Sequence, residues 1–357
     1  MTNRLKDMQR ITIAPGYEIS RVIRGGWQLA GGHGAIDGGS AVEDMIAFAD
    51  AGITTFDCAD IYTGVEELIG RFRVAYKNLR GTQALSRIRV HTKFVPDLTV
   101  LPNISKAYVE GVIDTSRKRL NLDCLDLVQF HWWAYDIEGW LETAGWLKEL
   151  HEAGKIGKIS GTNFDTDHIK AIIGSDVPFT SLQLQYSLLD RRPEKRMAAL
   201  AGEKNFALFC YGTVAGGFLG DRWLGQPEPE HPLENRSLTK YKLIIDDFGG
   251  WDLFQALLST LREIADRHDT DIATIASAAM LTKPGVAAVI VGARNRDHLK
   301  SNLAIADIAL SEKDRVEIDA ILAQSKPLDG DVYTLERDRE GRHGSIMKYN
   351  LNKGEQK

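Results

Sequence analysis

Cysteine is scarce in this chain. The three present, Cys58, Cys124 and Cys210, are far apart and each sits in an apolar run. That pattern argues against a disulfide framework or a zinc knuckle, and its simplest setting is the reducing cytoplasm. Proline is also sparse, with 10 in 357 residues, and no Pro-, Gly- or Ser-rich pause divides the chain into two domains. No apolar stretch approaches the roughly 20 residues that span a bilayer, and the opening "MTNRLKDMQRITIAPGYEIS" carries no apolar signal core. A soluble, unsecreted protein with no membrane partner is expected. Positive charge is not in excess: 44 Lys and Arg against 49 Asp and Glu leave a net charge of -5, which argues against nucleic acid as the main partner. No G-x-G-x-x-G follows the first strand, so any nicotinamide dinucleotide would bind outside an open-sheet crevice. The histidines lack short ligand spacing, and no metal site is expected.

What the chain does contain is alternation. Short β-rich apolar runs are followed by amphipathic helical patterns: "RVIRGGWQLA", "TTFDCAD", "RIRVHTKF", "LDLVQFHWW", "IGKISGTNF", "TSLQLQYSLLD", "FALFCYGTVAGG" and "VAAVIVGARN" each precede a helix. Eight such units without a boundary predict an α/β protein of the (β/α)8 TIM-barrel class, single-domain, with barrel over residues 1–327. Two segments fall outside the repeat. The polar stretch from Leu219 to Trp251 reads as a functional loop or lid after the seventh strand. Residues 328–357 read as a C-terminal tail, either disordered or, as its "SIMKYNL" patch suits better, folded back over the barrel mouth.

In a parallel barrel the chemistry sits at the C-terminal ends of the strands. The polar and aromatic residues there are Trp27 and Gln28, then Asp57, Asp60 and Tyr62, then Lys93, then His131 with Trp132 and Trp133. After the later strands come Thr162 and Asn163, then Gln183, Gln185 and Tyr186, then Tyr211 and finally Arg294. Asp57, Tyr62, Lys93 and His131 form a purposeful set. A phenol with a pKa of about 10 is a weak acid near neutrality, and an ammonium beside it favours its phenolate. Lys93 can supply that charge, Asp57 can hold Lys93, and His131 can polarise and orient a carbonyl or pass a proton. Each residue alone has a plainer reading: a strand-end cap for Asp57, a packed aromatic for Tyr62, a core histidine for His131. Lysine is rarely buried without a partner, and the coincidence of all four on successive strand ends favours function. A glycosidase pair built from Asp57 with Asp60 or Glu66 leaves Lys93 and His131 without a part.

The stretches "TTFDCADIYTGVEELIG", "VHTKF", "LVQFHWW", "ISGTNF", "LQLQYSLLD", "FCYG" and "VGARNRDHLKSN" resemble the aldo-keto reductase superfamily from about Ile19 to about Leu310. The resemblance implies Asp57, Tyr62, Lys93 and His131 as the catalytic tetrad. It implies cofactor contacts from Thr162, Asn163 and Gln183 to the carboxamide and from Tyr211 to the nicotinamide face. It further implies backbone contacts from Gly217, Phe218 and Leu219 to the pyrophosphate, and Asn302 near the adenine. Trp27 and Trp132 would line the substrate pocket. The family's Lys and Arg for the 2′-phosphate are replaced by Gly292 and His298, leaving Arg294, Arg296 and Lys300 as the local positive charge. The implied cofactor is NADPH/NADP+, with NAD as the alternative.

The implied activity is reduction of aldehydes or ketones by hydride transfer, with Tyr62 as proton donor. Two alternatives stand beside it. One is an NAD(P)+-dependent sugar 1-dehydrogenase, for which His33, Asp60, Asp190, Arg191 and Arg192 would suit a hydroxylated substrate. The other is a cofactor-binding, redox-sensing regulatory subunit, as a resemblance to potassium-channel β-subunits permits. The expected partner is a small carbonyl or sugar substrate.

Overall fold

The computed structural model describes residues 8–30 and 37–352. Among these, an antiparallel hairpin of β1 (Arg10–Ala14) and β2 (Tyr17–Ser20) precedes the barrel strands. Those are β3 (Val22–Gly25), β4 (Thr55–Asp57), β5 (Arg89–Phe94), β6 (Leu127–Phe130), β7 (Ile159–Thr162), β8 (Phe179–Gln185), β9 (Ala207–Tyr211) and β10 (Val286–Gly292). They pair in parallel and in sequence order, and β10 closes on β3, so the barrel has no open edge. The expected (β/α)8 class is the observed one.

Helices α1 (Gly38–Asp50), α2 (Val65–Leu85), α3 (Lys106–Leu120), α4 (Trp140–Glu152), α5 (Thr166–Gly174) and α6 (Met197–Lys204) follow the successive strands. Then come α7 (Arg236–Phe248), α8 (Trp251–Arg267), α9 (Ile272–Met280), α10 (Leu299–Ala304), α11 (Glu312–Leu322) and the short α12 (Thr334–Arg337). Several start where the sequence supplies a cap. The side chains of Asp37, Ser105, Asp165, Asn235 and Asp271 each accept a hydrogen bond from a first-turn amide, and Ser311 with Asp314 forms a reciprocal capping box. Asn121 and Asn205 end α3 and α6 in the left-handed conformation that asparagine tolerates.

Two apolar cores result. The larger lies between the barrel wall and the helices. The smaller lies inside the barrel and joins Tyr17 and Ile19 of the hairpin to Ile23, Leu127, Phe209 and Ala288. His91 stacks there between Tyr17 and Phe209, with ring centroids 6.1 and 5.3 Å away. The hairpin therefore stops the N-terminal end of the barrel, leaving the opposite end for chemistry.

Two segments lie outside the strand–helix repeat. The lid stretch after β9 contains the 13-residue helix α7, whose Leu238, Tyr241, Ile244, Ile245 and Phe248 are buried. Tail residues cross the strand ends: the Leu98 amide donates to the Tyr349 carbonyl at 2.9 Å, and Asp97 accepts from the amides of Leu351 and Asn352.

Candidate active site

Strand alternation puts every second side chain inside the barrel. Asp57 ends β4, Lys93 lies one residue from the end of β5, and Gln129 points inward two residues before His131. The Lys93 ammonium donates to Asp57 Oδ2 at 2.6 Å and to the Cys58 carbonyl at 2.8 Å. Asp57 Oδ1 accepts from the side-chain amides of Gln129 at 2.8 Å and Gln183 at 2.6 Å. The carboxylate is thus fully engaged in a buried setting, as a buried charge must be to avoid a large desolvation penalty. Burial opposes the Lys93 charge, but Asp57 and then Tyr62 outweigh it and raise its pKa. Lys93 is a permanent cation here.

Tyr62 lies on the turn after β4, with Lys93 Nζ 4.9 Å from its ring centroid and Trp27 edge-on at 5.1 Å. Lys93 pulls the phenol pKa down as the sequence suggests. Burial is the larger effect, however, so the net shift is upward from 10.0. The phenol stays protonated at neutral pH and has a proton to give.

His131 follows β6 directly. Its Nδ1 lies 3.0 Å from the Thr162 carbonyl oxygen, which can only accept, so Nδ1 carries the proton. Burial, with a smaller contribution from Arg337, drives its pKa down to about 3. The ring is therefore neutral, and its buried Nε2 is a bare acceptor without a partner. A ring in that state accepts a hydrogen bond from a hydroxyl rather than polarising a carbonyl by donation.

Several expected residues have other engagements. Trp132 is completely buried, and its indole N–H is shared between the carbonyls of Ala134 and Ile137. Its neighbour Trp133 stands edge-on to His131 with centroids 4.3 Å apart. Trp27 remains exposed beside Tyr62. The amides of Gly217, Phe218 and Leu219 donate to Val214, Ala215 and Val214 respectively. The side chains of Phe218 and Leu219 are core. The expected pyrophosphate-facing amides are thus closed within their own turn.

Gln183 gives its N–H to Asp57, and its Oε1 accepts from Thr162 Oγ1 at 3.4 Å. Asn163 adopts the left-handed conformation (φ 62°), and its Oδ1 accepts from the Tyr211 hydroxyl at 2.9 Å. Asn302 is buried with a partnerless Nδ2. A Cβ on Gly292 would meet Gln28 Nε2 at 2.2 Å, so Gln28 covers the place a longer side chain would leave by. Arg294 and His298 are exposed, whereas Arg296 donates to Asp44 Oδ1 at 3.0 Å.

The polar residues cited for a sugar substrate are mostly structural. Asp60 accepts from the amides of Ile61 and Val95, and Arg191 donates to Leu322 and Ser325. Asp190 and Arg192 form a buried ion pair completed by Glu336 of the tail. His33 lies outside the described residues. Sequence reasoning missed Gln129, although its inward alternation with His131 in "LVQFHWW" was available as a signal. It also missed Tyr333, edge-on to His131 at 5.8 Å, and Arg337, which donates to the carbonyls of Asn163 and Trp132. No periodicity in the tail marks those two.

A closed parallel barrel with a buried carboxylate–ammonium pair beside a protonated phenol and a neutral imidazole defines a TIM-barrel oxidoreductase. The chain belongs to the Aldo/keto reductase family, whose profile matches residues 21–323. It is 27% identical over 319 residues to the aldo-keto reductase YhdN of Bacillus subtilis (strain 168), covering 86% of this chain and 91% of that protein. It is 23% identical over 312 residues to the NADH-specific methylglyoxal reductase of Escherichia coli (strain K12), covering 83% and 92%. The crystal structure of the thermostable aldo-keto reductase Tm1743 with the inhibitor epalrestat superposes with a TM-score of 0.68 at 26% identity, over 88% of this chain and all of that one. The protein is an NAD(P)H-dependent oxidoreductase of the aldo-keto reductase type. Among the described residues no helix is long and apolar enough to cross a membrane.

Proposed function

We propose that the protein reduces aldehydes or ketones to alcohols, with Tyr62 as the proton donor and NADPH as the cofactor. The observation that carries this reading is the Asp57–Lys93 ion pair, which sets a permanent cation against a phenol that burial keeps protonated. A carbonyl oxygen that gains negative charge takes the Tyr62 proton, and Lys93 stabilises the phenolate left behind. Gln129 and Gln183 fix Asp57, and so fix the ammonium.

A nicotinamide cofactor, when bound, supplies the hydride. The partnerless Nδ2 of Asn302 and the joined side chains of Asn163 and Tyr211 fit such a group, and Thr162 with Gln183 completes the proposed carboxamide contacts. The exposed Arg294 and His298 support NADPH. The pairing of Arg296 with Asp44 supports NADH instead. Comparing kcat/KM for the two cofactors on one aldehyde decides between them.

The bare Nε2 of His131 favours a second reading on the same scaffold, NAD(P)+-dependent oxidation of a sugar or other polyol. An alcohol hydroxyl is a donor that this nitrogen can accept from. Initial rates in both directions test the pair: reduction faster than oxidation near neutral pH supports the first reading, and oxidation alone would replace it with the second. Tyr62→Phe should abolish either.

A further inference from the structure

Among the described residues Lys240 forms no contact ion pair, although the charges of Glu336 and Asp190 act on it. It sits on α7, and the packing of that helix explains why its side chain reaches the site. A Cβ on Gly212 would meet the Tyr241 hydroxyl at 2.4 Å, and one on Gly216 would meet the Tyr241 ring at 2.7 Å, so α7 lies flush on the loop after β9 only because both are glycine. The adjacent Lys240 then projects among three aromatic rings. Its Nζ lies 5.3 Å from the Tyr211 centroid, 5.6 Å from Tyr241 and 5.6 Å from Tyr333. These rings offer cation–π attraction, and among the described residues the ammonium donates no hydrogen bond.

The acids of this chamber are committed elsewhere. Glu336 and Asp190 are both clamped by Arg192, with contacts of 2.6 to 3.0 Å. Neither Lys240 nor Arg337, the second cation on the Tyr333 ring at 5.3 Å, forms an ion pair among the described residues. Burial lowers the Lys240 pKa, and the charges acting on it are Glu336, Arg192 and Asp190. Tyr333, which carries both cations, also stands edge-on to His131. Tyr333 thus stands between the Lys240 ammonium and His131 of the tetrad.

We infer that Lys240 is an anion receptor, and that the preferred substrates are carbonyl compounds bearing a carboxylate or phosphate group a few bonds from the reacting carbon. Such a group would give the ammonium an anion in direct contact, and Arg337 would add positive field without a direct contact. The inference rests on the carbonyl-reductase reading of this site. The same anionic oxygens could come from a phosphate of the cofactor, and the experiment separates the two sources.

The test compares full-length wild type, K240M and K240R on two substrate pairs, 4-carboxybenzaldehyde with benzaldehyde and succinic semialdehyde with butanal. A charge-assisted contact of ordinary strength corresponds to a factor of about 10 to 100. Wild type should prefer the charged member of each pair. K240M should lower the charged-to-neutral ratio of kcat/KM by that factor, mainly through KM, and K240R should recover most of it. Equal loss on both members would overturn the inference. So would weaker NADPH and NADH binding in K240M with an unchanged ratio, which would assign the ammonium to the cofactor. Turnover of neutral aldehydes without preference defeats the anion site alone, whereas no reduction of any aldehyde defeats the reductase reading. A binding measurement independent of turnover covers that last case: benzoate should quench tryptophan fluorescence with about 10-fold weaker affinity in K240M, and identical affinities would overturn the inference.

Discussion

Arg192 on the loop after β8 is joined to Glu336 of the tail by two hydrogen bonds, 2.9 and 3.0 Å long, while its other donors hold Asp190. All three side chains are essentially without solvent exposure. The pair ties the C-terminal segment across the strand ends, and Tyr333 and Arg337 flank it at the site.

Removing one partner of a buried ion pair costs about 3–5 kcal/mol, because the other charge is left uncompensated. E336Q should show part of that loss at neutral pH in denaturant unfolding, because Asp190 still pairs with Arg192. Burial raises the Glu336 pKa, but Arg192 and Lys240 outweigh it and bring the value from 4.5 down to about 2. A depressed carboxylate pKa contributes stability above the unfolded value and loses it as pH falls toward the folded one. The difference between wild type and E336Q should therefore shrink between pH 4.5 and about 2. A difference that does not depend on pH would mean that Glu336 is not charged in the folded protein.

Truncation after Asp331 removes Tyr333, Glu336 and Arg337 together. Substrate KM should change, since Tyr333 lies against His131. Unchanged kinetics would show that the tail takes no part in binding.

Tyr62→Phe should lower kcat by about 10²–10⁴, the range for losing a positioned general acid. Cofactor affinity, measured by fluorescence titration, should stay near the wild-type value. A loss confined to KM would instead make Tyr62 a binding residue.

His131 should produce no inflection near pH 6.5 in kcat/KM, because its pKa is driven down to about 3. For a histidine kept neutral by the fold, the unfolded chain binds the extra proton, so its contribution to stability is complete above about pH 6.5 and declines as pH falls below it. An inflection near 6.5 that disappears in His131→Gln would show that the ring titrates in the working enzyme.

Lys93→Met removes the cation and leaves Asp57 buried with only the two amides of Gln129 and Gln183. A loss of about 3–5 kcal/mol in unfolding free energy is expected. The double variant Asp57→Asn with Lys93→Met should recover part of that stability while remaining inactive. If the double variant is no more stable than Lys93→Met, the pair is not the source of the cost.

The chain of β-rich runs and amphipathic helices determined the barrel, because strand and helix periodicities are local properties of consecutive residues. It also determined that Asp57, Lys93 and His131 meet at one end, since a parallel barrel aligns the C-terminal ends of its strands. Gln129 was equally legible, two residues before His131 on an inward face. In "HWW" two like residues stand side by side, and only packing decides that Trp132 is the fully buried one while Trp133 meets His131. Whether burial or Lys93 dominates the Tyr62 phenol could not be read from sequence, since desolvation depends on everything that surrounds the ring. The same holds for the contact of Glu336 with Arg192, separated by 144 residues, and for the placing of Lys240 among Tyr211, Tyr241 and Tyr333. Those relationships join segments distant in sequence, and only tertiary packing set which of them came within reach.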